Sequence, residues 1–138
     1  MENEEGNAGW KKERAGYRRL DLEDRLIEFD VVVTDIAEAL PPSRTGNHIA
    51  GQMVRCSTSP MLNYGEAQAA ESRHDFIHKM KVVLKEIRET RVCLKFIIRK
   101  RLIPNLGSVE EVLGENNQLI AIFIKSITTA QENLKNGK

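Results

Sequence analysis

The chain has 138 residues and a formal net charge of +1; 41% of its residues are hydrophobic, 5% aromatic and 30% charged. That length suits one domain with one core, and few aromatics among many charges favour a helical domain over a β-sandwich. So even a charge balance singles out no partner, and the longest apolar run, Leu119 to Ile124, is far too short to span a bilayer.

The N-terminus (MENEEGNAGW) has no signal-peptide hydrophobic region, which points to a soluble, cytoplasmic chain. Residues 1–19 are expected to form a flexible basic tail: "KKERAGYRR" places Lys11, Lys12, Arg14, Arg18 and Arg19 around Tyr17. Residues 20–135 carry the folded domain. Its first helix is expected from Leu20 to Leu40, where Leu22, Leu26, Phe29, Val33, Ile36 and Leu40 alternate steps of four and three. Asp21 is placed to cap this helix, and Pro41-Pro42 to stop it.

The second helix keeps the rhythm at Ile49, Met53, Cys56, Pro60, Asn63, Ala67 and Ala70. The phase runs unbroken through "STSPMLNYGEA", so one helix kinked near Pro60 is expected, not two. Ser57, Thr58 or Ser59 are expected to satisfy backbone groups freed by the proline, and Asn63 to bond backbone or a neighbouring helix. Tyr64 and Gly65 would mark close packing; a ligand pocket around Asn63 and Tyr64 is the alternative. The third helix is expected from about Ser72 to Arg101, facing inward with Phe76, Met80, Val83, Ile87, Thr90, Leu94 and Ile97. "SVEE", Ser108 to Glu111, has the pattern of a capping box opening the fourth. Its stripe is Val109, Leu113, Asn116, Ile120, Phe123, Ile127, Ala130 and Leu134. The whole reads as all-α, an up-down-up-down left-handed four-helix bundle with a kinked second helix.

Helices three and four carry more apolar residues than one seam needs. Either the core is wide or a subunit interface covers them, and self-association is the preferred reading. Charge is divided: seven acids and one base lie between Leu20 and Leu40, but ten bases and four acids between Glu71 and Arg101. His74, His78, Lys81, Lys85, Arg88, Lys95 and Arg99 form a stripe roughly 200° from the core seam. It reads as a solvated face, as a track for phosphates, or as a partner for the acidic first helix of another subunit.

Catalytic patterns are lacking. "HDFIH" is a poor match to a helical zinc site and has no third ligand, "GNHIAG" lacks nucleotide-loop spacing, and the inward polar residues do not suit a diiron centre. Cys56 and Cys93 lack CxxC spacing and read as reduced, partly buried thiols. No catalytic residue, metal or cofactor is expected, and the chain is not expected to be an enzyme.

Three stretches together resemble a known family: "LEDRLIEF" from Leu22, the segment Gly46 to Thr90, and "CLKFI" from Cys93. The most specific marks are Gln52, Arg55, Ser59, Asn63-Tyr64, Glu66-Ala67 and Asp75-Phe76-Ile77. The chain resembles the four-helix-bundle proteins first named for open reading frames within intervening sequences of bacterial 23S rRNA genes. A related branch is the accessory variability protein of diversity-generating retroelements. The resemblance implies a homopentamer without enzymatic activity, and its related branch implies RNA and a reverse transcriptase as partners. The expected function is non-enzymatic binding of RNA or DNA through Lys81, Lys85, Arg88, Lys95 and Arg99, assisted by the tail. Ser59, Pro60, Asn63 and Tyr64 are expected to be structural. An interaction adaptor, such as an accessory subunit of a reverse transcriptase, is the alternative.

Overall fold

The structure, a computed structural model, describes residues 21–137; the expected tail over 1–19, with Lys11, Lys12, Arg14, Arg18 and Arg19, lies outside the described residues. The described residues form four helices and no strand: α1 (Leu22–Glu38), α2 (Arg44–Gln68), α3 (Arg73–Lys100) and α4 (Leu106–Lys135). Each helix opens on a side-chain oxygen that accepts the amide three residues on, which satisfies one of the donors that a helix start leaves unpaired. Asp21 takes the amide of Asp24 at 2.9 Å, Ser43 that of Gly46 at 3.0 Å, and Ser72 that of Asp75 at 3.0 Å.

The fourth cap corrects the sequence reading. Asn105 accepts the Ser108 amide at 3.3 Å, so α4 starts at Leu106 and Ser108 already lies in its first turn. There the Ser108 hydroxyl donates back to the Asn105 carbonyl at 3.0 Å and does not cap. At the end of α3, Arg101 takes the left-handed conformation (φ 54°), and the amides of Arg101 and Leu102 return to Ile98 and Ile97. This pairing closes the last carbonyls and turns the chain toward α4.

The helices pack in a ring. α2 lies along α3, α3 along α4 and α1 along α2, while α1 meets α4 over a shorter stretch and lies diagonal to α3. Leu26, Val33, Met53, Val83, Ile87, Leu94, Ile97, Leu119 and Phe123 are almost wholly buried and fill the shared core. All six residues of the expected first stripe are buried, Leu40 just beyond the end of α1. On α4 the seam shifts by one at two turns: Val112 and Leu119 are buried, and Leu113 and Ile120 are half-buried against them. Phe76 likewise yields its place on α3 to Ile77, and Ile49 of α2, Ala70 just beyond its end, and Ala130 and Leu134 of α4 are only half-buried. These helices present a band wider than a strict coiled-coil seam, so neighbouring positions share the core.

α2 is one helix through Pro60, as its phase predicts. The inward residue after the proline is Tyr64, however, not Asn63. Tyr64 is 2% exposed and packs edge-on against Phe123 of α4, with ring centroids 5.8 Å apart. Asn63, half-buried, donates its amide to the carbonyl of Ser59 at 3.1 Å and its hydroxyl at 3.0 Å. Gly65 is exposed, with open space around it, and marks no close packing between helices of the chain. Pro60 cannot bond the Cys56 carbonyl one turn back. The nearby hydroxyl of Thr58 goes instead to Val54 at 2.6 Å, and Ser57 is buried without a partner for its hydroxyl.

Among the described residues, Gly46 is the one glycine whose lack of a side chain the packing requires. A Cβ there would collide with the carbonyl oxygen of Pro41, a backbone atom fixed by the α1–α2 turn. Gly46→Ala should cost about 1–3 kcal/mol through overpacking. Gly51→Ala, in the open interior of the same helix, should gain about 0.5–1 kcal/mol. Urea unfolding midpoints measured at equal m-value check the two opposite signs.

Candidate functional site

With the core seam of α3 turned toward α2 and α4, its opposite face meets solvent. Lys81, Lys85, Arg88 and Arg99 are exposed there and Lys95 is half-buried. Among the described residues, none of these five enters an ion pair. His74 and His78 are both exposed at the start of the same helix, and no group of three or more His, Cys, Asp or Glu among the described residues could hold a metal ion. The stripe also contains an apolar interruption. Val92, 62% exposed, lies between Arg88 and Lys95, and Phe96, 40% exposed, lies beside it.

Beside this face, the contact between α2 and α3 holds a polar cluster. The Arg55 guanidinium bonds Glu86 at 3.2 Å, Glu89 at 2.8 Å and Gln52 at 3.1 Å. Its hydrogen bond to Glu89, then the charge of Glu86, raises the Arg55 pKa further, and the same bond lowers that of Glu89. Deeper in, the Thr90 hydroxyl lies 3.2 Å from the Cys56 sulfur and 3.1 Å from the Glu86 carbonyl. Cys56 and Cys93 are both free thiols and influence one another across the two helices. That mutual influence, foremost, holds the Cys93 thiol down to about 7 and pushes the buried Cys56 thiol up. Asn116 of α4 donates to the Ile87 carbonyl at 3.3 Å from the far side of α3.

Asp30 of α1 completes the buried polar set. It is 4% exposed, and neither carboxyl oxygen has a hydrogen-bond partner among the described residues. Burial, and secondarily Cys56, raises its pKa from the usual carboxylate range to about 8. A charged carboxylate placed there without a partner is strongly disfavoured, so the group is held neutral. On the neighbouring contact, Arg25 of α1 reaches Glu115 of α4 at 2.7 and 2.9 Å and Gln118 at 2.8 Å.

The profile of the 23S rRNA-intervening sequence protein matches residues 18–125. The chain belongs to this family. The fold of the family is also seen in the crystal structure of a protein with unknown function from the S23 ribosomal protein family of Bacteroides thetaiotaomicron VPI-5482. It is 30% identical, superposes with a TM-score of 0.70, and the match covers 76% of this chain and 96% of that one. No curated protein matches the chain.

The residues that carry the family resemblance now have places. Gln52 and Arg55 build the bridge to α3, Tyr64 the ring contact to α4, and Glu66 pairs with Lys79 at 3.5 Å. Ser59 and Asn63 bond each other within α2, so these four marks of "STSPMLNYGEA" serve helix and packing. The sequence reading missed Asp30, Glu86 and the contact of the two thiols. Asp30 does carry a signal: it stands four residues after Leu26 and three before Val33, a row that continues to Ala37.

Asp30 gives the pH dependence of stability a definite sign. The unfolded chain loses this proton near the ordinary carboxylate pKa and the folded chain near 8, so Asp30 progressively destabilises the fold as pH rises between those values. Above that window its effect is constant. Asp30→Asn should therefore gain stability relative to the parent by about 1.4 kcal/mol per pH unit across the middle of the window. Paired urea titrations at several pH values measure this difference directly.

Proposed function

We propose that the chain is a non-enzymatic homo-oligomer, a pentamer, that binds RNA or DNA in the bacterial cytoplasm through the basic face of α3. The observation that carries this reading is a run of five cations from Lys81 to Arg99, unpaired among the described residues and on one outer face. At helical rise the run is about 27 Å long, enough to follow a phosphate backbone. Each of the five would contact phosphate, with Lys11, Lys12, Arg14, Arg18 and Arg19 assisting. Self-association is supported by apolar side chains exposed on the single chain, among them Ile27 and Val31 of α1 and Leu62 of α2. A closed ring of copies covers such surface. Free thiols suit a reducing compartment.

Val92 and Phe96 favour a second reading. An apolar interruption within a basic stripe is what a protein partner uses, and a polymerase such as a reverse transcriptase would then dock on α3.

Replacing Lys81, Lys85 and Arg88 together by alanine should weaken binding to a structured RNA about 10- to 100-fold at low salt and flatten the salt slope by about two units. Fluorescence anisotropy over a salt series measures both. An unchanged slope overturns the nucleic-acid reading, and loss of polymerase capture on Val92→Asp with RNA binding intact favours the adaptor. Light scattering on a size-exclusion column tests assembly, and a stable species at the chain mass of 15.7 kDa overturns it.

A further inference from the structure

The thiols between α2 and α3 have no part in binding phosphates. Cys93 is half-buried at the edge of the helix contact, and Cys56 is 1% exposed behind it. The Thr90 hydroxyl, 3.2 Å from the Cys56 sulfur, stands one turn before Cys93 on α3, so both groups face Cys56 across the same gap. Cys56 thus lies against the turn of α3 that carries Cys93, and each thiol shifts the titration of the other. A reactive cysteine needs access, a stabilised anion and a second sulfur within reach, and this geometry supplies all three. The charged groups facing Cys93 are Arg55 from α2, which favours its thiolate, and Glu89 one turn earlier on α3, which opposes it.

We propose that Cys93 and Cys56 form a hydroperoxide-responsive thiol pair, with Cys93 as the attacking sulfur and Cys56 as the resolving one. In the first step the Cys93 thiolate attacks the near oxygen of hydrogen peroxide. An S–O bond forms, the O–O bond breaks, and hydroxide leaves and takes up a proton as water. Cys93 is then a sulfenic acid. In the second step the Cys56 sulfur attacks the sulfenic sulfur; the S–S bond forms, the S–O bond breaks, and the departing oxygen leaves as water with the Cys56 proton. Two electrons pass from the thiols to the peroxide. The backbone at Cys56 has room to adjust, because its carbonyl is the one that Pro60 leaves without a helical partner. The product ties α2 to α3 and can be reversed by a dithiol.

The full-length chain, treated with equimolar hydrogen peroxide, should lose two hydrogen atoms by intact mass and yield a reducible Cys56–Cys93 cross-linked peptide. In the untreated chain iodoacetamide should label Cys93 at least about tenfold faster than Cys56, with a pH midpoint of about 7. Cys56→Ser should stop the reaction at a sulfenic acid that dimedone traps. Two thiols unchanged by peroxide, a Cys93–Cys93 bond between chains, or equal labelling of both cysteines would overturn the proposal. If Cys56→Ser fails to fold, the mass and labelling of the parent chain decide the matter alone.

Discussion

The structure depends on α3 keeping one seam dry along nearly its whole length. Met80, Val83, Ile87, Thr90, Leu94 and Ile97 are buried in four-three alternation between α2 and α4. Burial of apolar area is the main favourable contribution to such a bundle, and α3 is the helix through which it is shared. α1, the shortest helix, adds its own stripe against α2 and is fastened to α4 by the forked bond from Arg25. Once the seam is fixed, the rest of α3 has no freedom: whatever stands half a turn away must face water. The basic stripe is on the surface for that reason, whatever binds it.

Polar groups in the same interior are costly, and the chain tolerates several. Thr90 bonds within its own helix and Asn116 bonds across to α3, which offsets part of their desolvation. Asp30 and Ser57 have no such offset. A neutral carboxyl and a hydroxyl cost less than a charge, but both cost more than an aliphatic side chain of their size. The middle of the bundle is thus its least stabilised layer, and it is also where Pro60 removes a backbone bond from α2. The cost is offset by the apolar remainder of the core, where Leu26, Met53 and Phe123 are fully buried.

Fold class was legible because period, caps and breakers agreed with one another. The seam errors are local and share one cause. Between two fixed seam positions, steps of three or four both land near the core, and the choice falls to side-chain size and polarity. Tyr64 displaces Asn63 because its ring reaches Phe123, while the asparagine amide finds a carbonyl one turn back. Val112 and Leu119 displace Leu113 and Ile120 by the same rule on a wide band. Asp30 escaped notice because carboxylates on an acidic helix are ordinarily solvated, even though its spacing to Leu26 and Val33 belongs to the seam. The contact of Cys56 with Cys93 could not be read at all, since it depends on how far α2 slides along α3.

Arg55 connects the interior to the surface. Helix α3 contains three acids, Asp75, Glu86 and Glu89, and each could neutralise a cation of the stripe. Asp75 lies by Lys79, while Arg55 takes both Glu86 and Glu89 toward α2. Glu89 is four residues from Lys85, a spacing that ordinarily forms an ion pair along a helix, yet its carboxylate turns to Arg55 at 2.8 Å. An exposed pair of this kind adds little to stability, so its effect lies in where the charge goes. By holding two carboxylates on the α2 side, Arg55 leaves Lys81, Lys85 and Arg88 without an ion pair among the described residues, although Glu89 still feels the charge of Lys85. The same guanidinium lowers the pKa of the Cys93 thiol, so the charge on one α2 side chain shapes the surroundings of both the basic stripe and the sulfur next to it.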